Sequence, residues 1–224
     1  MSVVVPNSLD EALGALANNP AATVLAGGTD LMVEMNSGHR RADHVVAVNR
    51  VPELRTWEHD PVSRTVRIGA GVTYRELERG PLADWIPALA QAARTVGSPQ
   101  IRHAATIGGN VGTCSPAGDG LPVLAALDAR IELASSDGVR TVSFGDFMTG
   151  PKRTVRQPGE LITAVTVPVA RGWQGYTKVG VRNAMVIATA SAALVVDDET
   201  RTVAIALGSV GPTILRCPEA ETFA

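Results

Sequence analysis

Residues 106–133 read TIGGNVGTCSPAGDGLPVLAALDARIEL. The first half is rich in glycine and hydroxyls, and the second is an apolar run that passes into a strand pattern. Glycine lets a backbone approach a ligand closely and adopt positive φ. Consecutive N–H groups can then form an anion-binding concavity. Thr106, Gly108, Gly109 and Asn110 therefore read as a loop suited to a phosphate, continuing through Thr113 and Ser115 to Asp119. The loop lies between two apolar helical segments, so its polar groups need partners. A bound polar ligand would provide them, or the loop bonds to itself through Thr113 and Ser115. Asp119 accepts ribose hydroxyls or caps a helix that starts at Leu121.

A second glycine segment stands upstream. Leu25, Ala26, Gly27, Gly28, Thr29 and Asp30 close the apolar run Thr23-Val24-Leu25-Ala26. They read as a phosphate loop, or as a strand-to-helix turn with Thr29 or Asp30 as N-cap. Two such segments suggest one diphosphate clamped from two sides. The GxGxxG fingerprint is absent, which disfavours a Rossmann site.

Around these motifs the chain alternates strands and helices. Val3–Val5, a helix after the Ser8-Leu9-Asp10-Glu11 box, Thr23–Ala26 and His44–Val48 predict a small α/β unit with parallel pairing that closes near Leu54. Thr65–Ile68, a helix from the Thr73–Glu76 box, a helical stripe over Pro87–Val96 and a helix over Leu121–Leu127 follow. Ser135-Ser136-Asp137-Gly138 predicts a hairpin, and Leu161–Val167 a strand ended by Pro168. A boundary is expected at Gly172–Gly175. Beyond it, apolar runs flank Asp197–Thr200 as another hairpin, and a helix starts near Pro218. That helix stops after one turn at Ala224, so the last module is expected to be incomplete.

Composition narrows the function. The chain has 224 residues, 45% of them apolar, and 20 basic residues against 22 acidic ones. No basic surplus points to nucleic acid. Only Lys152 and Lys178 are lysines. The two cysteines, Cys114 and Cys217, are far apart in sequence, too few to hold an iron–sulfur cluster, which takes four thiolates. No signal-peptide pattern and no apolar run of ~18–20 residues is present, so a cytoplasmic protein without a membrane span is expected. His39, His44 and His59 show no metal-ligand spacing, and GxSxG is absent, so hydrolase chemistry lacks support. Lys178 and Arg182, four apart, meet an anion or flavin edge or solvate a surface. Tyr74 lies on a ring face or is half-buried in a core. Trp57, Trp85 and Trp173 read as packing.

AGGTDL at 26–31 together with the 106–133 stretch resembles the FAD-binding subunit of the molybdenum hydroxylases. That family includes the medium subunit of aerobic carbon monoxide dehydrogenase and the flavin part of xanthine dehydrogenase. The resemblance runs through Tyr176–Arg182 to Gly211-Pro212, nearly the whole chain. Relatives often carry Arg-Asn-Arg/Gly-Gly before the second motif, where Arg102-His103-Ala104-Ala105 stands here. The resemblance implies an α+β fold: a two-lobed FAD-binding domain of the vanillyl-alcohol oxidase type over residues 1–171, with lobes at about 1–55 and 56–171. A small C-terminal domain of antiparallel strands and helix, 172–224, would follow and stop short.

The resemblance further implies that Leu25–Asp30 wrap the FAD diphosphate and that Thr106, Gly108, Gly109 and Asn110 close over it. Thr113 and Ser115 would bond the phosphates or ribityl chain, and Asp119 the adenosine ribose. Leu161 or Ile162 would touch adenine or flavin, and Lys178 would lie near the flavin. No side chain need be a catalytic acid or base. The implied partners are an iron–sulfur small subunit and a molybdopterin large subunit, as a dimer of three-chain units. Electrons would pass through FAD to NAD, a quinone or oxygen. The competing readings are a stand-alone FAD-dependent oxidoreductase acting on a small molecule and a non-catalytic assembly subunit.

Overall fold

β1 (Ser2–Val4), α1 (Leu9–Asn18), β2 (Thr23–Leu25), α2 (Leu31–Asn36) and β3 (His44–Ala47) open the chain. The computed structural model describes residues Met1–Ala224. The three strands pair in parallel in the order β1-β3-β2, which the crossover helices allow. Ser8 accepts from the Glu11 N–H at 3.2 Å, starting α1. The Glu11 carboxylate returns to the Asn7 N–H at 2.8 Å, one residue upstream of where a full capping box closes. Ala12 and Leu16 are buried, and α1 packs on β3 and on the strand Arg130–Ser135 of the next sheet.

The next stretch contains β4 (Trp57–Asp60), β5 (Thr65–Gly69), α3 (Tyr74–Leu77), α4 (Gly80–Trp85), α5 (Pro87–Thr95), α6 (Pro99–Ala104), α7 (Ile107–Thr113) and α8 (Leu121–Ala126). It continues with β6 (Arg130–Ser135), β7 (Gly138–Ser143), α9 (Phe144–Phe147), β8 (Met148–Gly150), β9 (Arg153–Thr154) and β10 (Leu161–Pro168). Five strands form an antiparallel sheet, β4-β5-β10-β6-β7. β10 is central and nearly all apolar, as a strand covered on both faces must be. Val165 sits between Ile68 and Ile131, all three without solvent contact. Each such side chain contributes about 1.5–3 kcal/mol by leaving water. The β10–β6 register shifts between Ile162 and Ala164, a bulge that re-aims the start of β10.

The Thr73–Glu76 capping box is complete. Both expected hairpins, around Ser135–Gly138 and Asp197–Thr200, are present. Three parts differ from the sequence reading. α4 and α6 occupy stretches to which the sequence pattern assigns no element, and each carries proline in its first turn, where its missing N–H costs nothing. The second glycine segment is not an open loop but helix α7. Thr106 caps it, accepting from the Gly109 N–H at 3.0 Å.

β11 (Gln174–Val179), β12 (Ala190–Asp197), β13 (Thr202–Gly208) and β14 (Leu215–Arg216) form an antiparallel meander, and α10 (Pro218–Phe223) follows. Asp197 makes the β12–β13 turn by accepting from the Glu199 and Thr200 N–H groups, each at 3.0 Å. α5 lies on β11, and α8 lies on β12 and β13. One continuous apolar cluster runs from Leu16 through Ile68 and Val165 to Ala193 and Ala206. No helix is long and apolar enough to cross a membrane.

Candidate functional site

A cleft of about 1190 Å³ separates the β2–α2 connection from Ala70–Thr73, Val96–Ser98, the α6–α7 junction and Ser115–Asp119. It is larger than the roughly 300–1,000 Å³ of pockets for drug-sized ligands.

On the first side, Gly27 presses against the α6–α7 junction. A Cβ there would lie 1.8 Å from the Ala104 carbonyl oxygen, so no other residue allows this approach. Gly28 has φ +71°, the left-handed region. No acceptor in the chain takes the backbone N–H of Gly27, Gly28, Thr29 or Asp30. Four consecutive donors are thus left open in the cleft wall, a concavity suited to an anion. Asp30 precedes α2 but makes no side-chain cap. Its Oδ2 instead accepts from Thr113 Oγ1 at 3.3 Å, tying the start of α2 to the end of α7.

The opposite wall works differently. Ile107 N–H donates to Val72 O, Gly108 to Ala70 O, Gly109 to Thr106 Oγ1 and Asn110 to Thr106 O, all within 2.9–3.0 Å. Capping and packing therefore use the N–H groups of Ile107–Asn110, whereas those of Gly27–Asp30 are open. Gly108 is needed for contact instead: a Cβ there would meet Ala70 Cβ at 2.4 Å. At Gly109 a Cβ meets only Thr106 Oγ1, at 3.0 Å, with open space otherwise. α7 ends at Cys114, whose φ is +51°. Burial pushes the Cys114 thiol up to about 11, so it stays an unreactive S–H.

From this wall Asn110, Thr113 and Ser115 offer side chains. Ser115 Oγ accepts from the Ala117 N–H at 3.3 Å, and Asn110 Oδ1 accepts from Tyr74 at 2.6 Å. Tyr74 is neither on a ring face nor half-buried: it is fully enclosed. Leu161 and Ile162, beside the β10 bulge, complete the wall.

Every residue proposed from the sequence lines this cleft except Lys178. Lys178 Nζ lies 2.7 Å from Asp119 Oδ2 and donates to Thr95 O at 3.3 Å. Both charged side chains are 8% exposed. Tyr176 donates to Asp119 Oδ1 at 2.9 Å. Burial, with the Asp119 charge beside it, pushes the Tyr176 hydroxyl well above its ordinary range, so it remains a donor. Asp119 does not cap α8, whose N-cap is Gly120.

Sequence reasoning missed the rest of the rim. Arg40, Glu34, Lys152 and Arg156 gather at the cleft from two distant segments, with Lys152 and Arg40 both paired to Glu34. Arg102 holds the Val96–Gly97 wall through its carbonyls at 3.2 and 3.3 Å and pairs with Glu78 at 3.1 Å. A lone arginine in sequence gives no signal of such a clamp. Trp57 and Trp85 pack edge to face, 5.5 Å apart, away from the cleft.

A family profile described as "FAD binding domain in molybdopterin dehydrogenase" matches residues 1–170. The chain is 32% identical over 226 residues to the xanthine dehydrogenase FAD-binding subunit of Escherichia coli, covering 97% of this chain and 76% of that protein. It is 35% identical over 224 residues to the glyceraldehyde dehydrogenase medium chain of Sulfolobus acidocaldarius, covering 98% and 79%. Among solved structures it superposes with a TM-score of 0.92 on carbon monoxide dehydrogenase from Hydrogenophaga pseudoflava. That protein is 31% identical, with 99% of this chain and 79% of that chain covered.

Proposed function

The chain belongs to the FAD-binding domain family of molybdopterin dehydrogenases, and from that premise we propose that its cleft holds FAD as the flavin station of a three-subunit electron-transfer complex. One observation carries the proposal: four open amides at Gly27–Asp30 in a cleft large enough for a dinucleotide. The donor set fits the cofactor. A diphosphate carries only acceptors, and the walls present amides, the Thr29 and Ser115 hydroxyls and the Asn110 carboxamide.

In this reading Leu25–Asp30 hold the diphosphate. Thr106, Gly108 and Gly109 bring α7 close, and Asn110 and Ser115 donate from the opposite wall, where Thr113, donating to Asp30, ties α7 to the first segment. Asp119, oriented by Lys178 and Tyr176, offers its remaining lone pairs to a ribose, and Leu161 and Ile162 give apolar contact. Lys178 acts through Asp119 rather than by touching the ring. Electrons released at a molybdopterin centre in a large partner subunit reach this chain through iron–sulfur clusters of a small one. They leave to NAD, a quinone or oxygen, and bound FAD supplies the redox chemistry. The assembly is read as a dimer of such three-chain units. The named relatives support this reading, since they are subunits and medium chains of dehydrogenases.

We read residues 1–55 and 56–171 as two lobes of the vanillyl-alcohol oxidase type, and 172–224 as a further domain. The parallel sheet, the five-stranded sheet and the meander support that division. Two free thiols, Cys114 and Cys217, support a reducing, cytoplasmic setting. Titration with FAD and with FMN tests the site: FAD binds, and FMN, lacking the diphosphate bridge, binds roughly a hundredfold more weakly. Equal affinities would place the ligand elsewhere.

A further inference from the structure

Tyr74 is the largest fully buried side chain of the core, yet it ends in a hydroxyl. That hydroxyl has one partner, Asn110 Oδ1, at 2.6 Å. The space around the pair is closed by glycine. A Cβ on Gly120 would come within 2.6 Å of the Tyr74 oxygen, and one on Gly118 within 3.0 Å of Asn110 Nδ2. Asn110 lies in the cleft wall, and its Nδ2 donates to no group of the chain without being sealed from solvent.

A carboxamide has two orientations of nearly equal shape, with opposite hydrogen-bonding faces. Turned over, Asn110 would offer the cleft an acceptor, and the buried Tyr74 proton would have no acceptor, which is costly. Burial, with the Asp119 and Asp30 charges near it, holds the Tyr74 hydroxyl far above its ordinary range, so the donor persists at every physiological pH.

We propose that Tyr74 is a positioning residue: its hydroxyl fixes the Asn110 carboxamide so that Nδ2 serves the cleft as a donor to the anionic part of the cofactor. This rests on the flavin reading above. Tyr74→Phe keeps the ring packing and removes only the hydroxyl. In the 224-residue chain it is expected to raise the FAD dissociation constant roughly tenfold, with the apoprotein melting close to wild type. The phosphorus-NMR resonances of bound FAD should shift in the same variant. Because Tyr74 acts through Asn110, adding Tyr74→Phe to Asn110→Ala should weaken FAD no further than Asn110→Ala alone. Unchanged affinity and phosphorus resonances in Tyr74→Phe, or an equal extra loss in the Asn110→Ala background, would overturn the positioning role while leaving the flavin site intact. Wild-type chain that takes up no FAD would overturn the site reading and this role with it.

Discussion

Gly27 and Gly109 show how one residue type does two jobs in one cleft. At Gly27 a methyl would fall on the Ala104 carbonyl oxygen, whereas at Gly109 it meets only the Thr106 hydroxyl. Gly27→Ala must push two backbone segments apart, and a loss of ~1–3 kcal/mol in chemical denaturation is expected, as overpacking of a close contact brings. Gly109→Val instead projects into the cleft. It should cost no more than about 1–2 kcal/mol of stability, through the disturbed Thr106 cap, since valine is a better helix former than glycine. Its FAD affinity should fall roughly a hundredfold, read by titration. A Gly109→Val protein with normal FAD affinity would remove α7 from the binding wall. The position of the first glycine segment, between β2 and α2, was legible in the sequence, where Gly-Gly-Thr-Asp after an apolar run reads as a phosphate loop or as a strand-to-helix turn. The clamp by Arg102 and the rim of Arg40, Lys152 and Arg156 were not. Tertiary folding alone assembles them from residues without local pattern.

At the scale of elements, one buried and one half-buried carboxylate, Glu160 and Glu132, join the strands. Glu160 accepts from Arg140 of β7 at 2.5 and 2.9 Å. The Arg140 hydrogen bond holds its carboxyl below the ordinary value of 4.5, outweighing the upward push of burial. At Glu132 burial pushes up most strongly, but the bonds from Arg67 and Thr163 and the Arg67 charge together bring it below 4.5. A carboxyl whose folded pKa is depressed adds stability above its unfolded pKa and loses it as pH falls through the folded one. The melting temperature should therefore drop as the pH is taken below 4.5, and Glu132→Gln and Glu160→Gln should each flatten that drop while melting lower at pH 7. A slope unchanged in both variants would show that these pairs do not carry the acid sensitivity. Elements with turn chemistry or regular period, such as the parallel unit and both hairpins, could be read from sequence. α7 could not. Three glycines in seven residues argue against a helix, and only the Thr106 cap and the contact of Gly108 with Ala70 reverse that preference.

For the whole molecule, the Asp119–Lys178 pair fastens the meander to the cleft. Lys178 stands on β11, and Asp119 precedes α8. Removing one partner leaves a charge enclosed, so Lys178→Met should destabilise by about 3–5 kcal/mol, whereas Asp119→Asn with Lys178→Met should recover a good part of that loss. Denaturant unfolding of the single and double variants measures it, and additive losses would deny the coupling. The account as a whole rests on the cleft being a flavin site. The most direct test is the visible spectrum of the purified 224-residue chain after incubation with FAD and removal of excess, with the bound flavin released and identified. Oxidised-flavin bands with FAD released near one per chain are predicted. A colourless protein that remains empty would contradict the account, because the open amides of Gly27–Asp30 would then belong to a turn and not to a ligand.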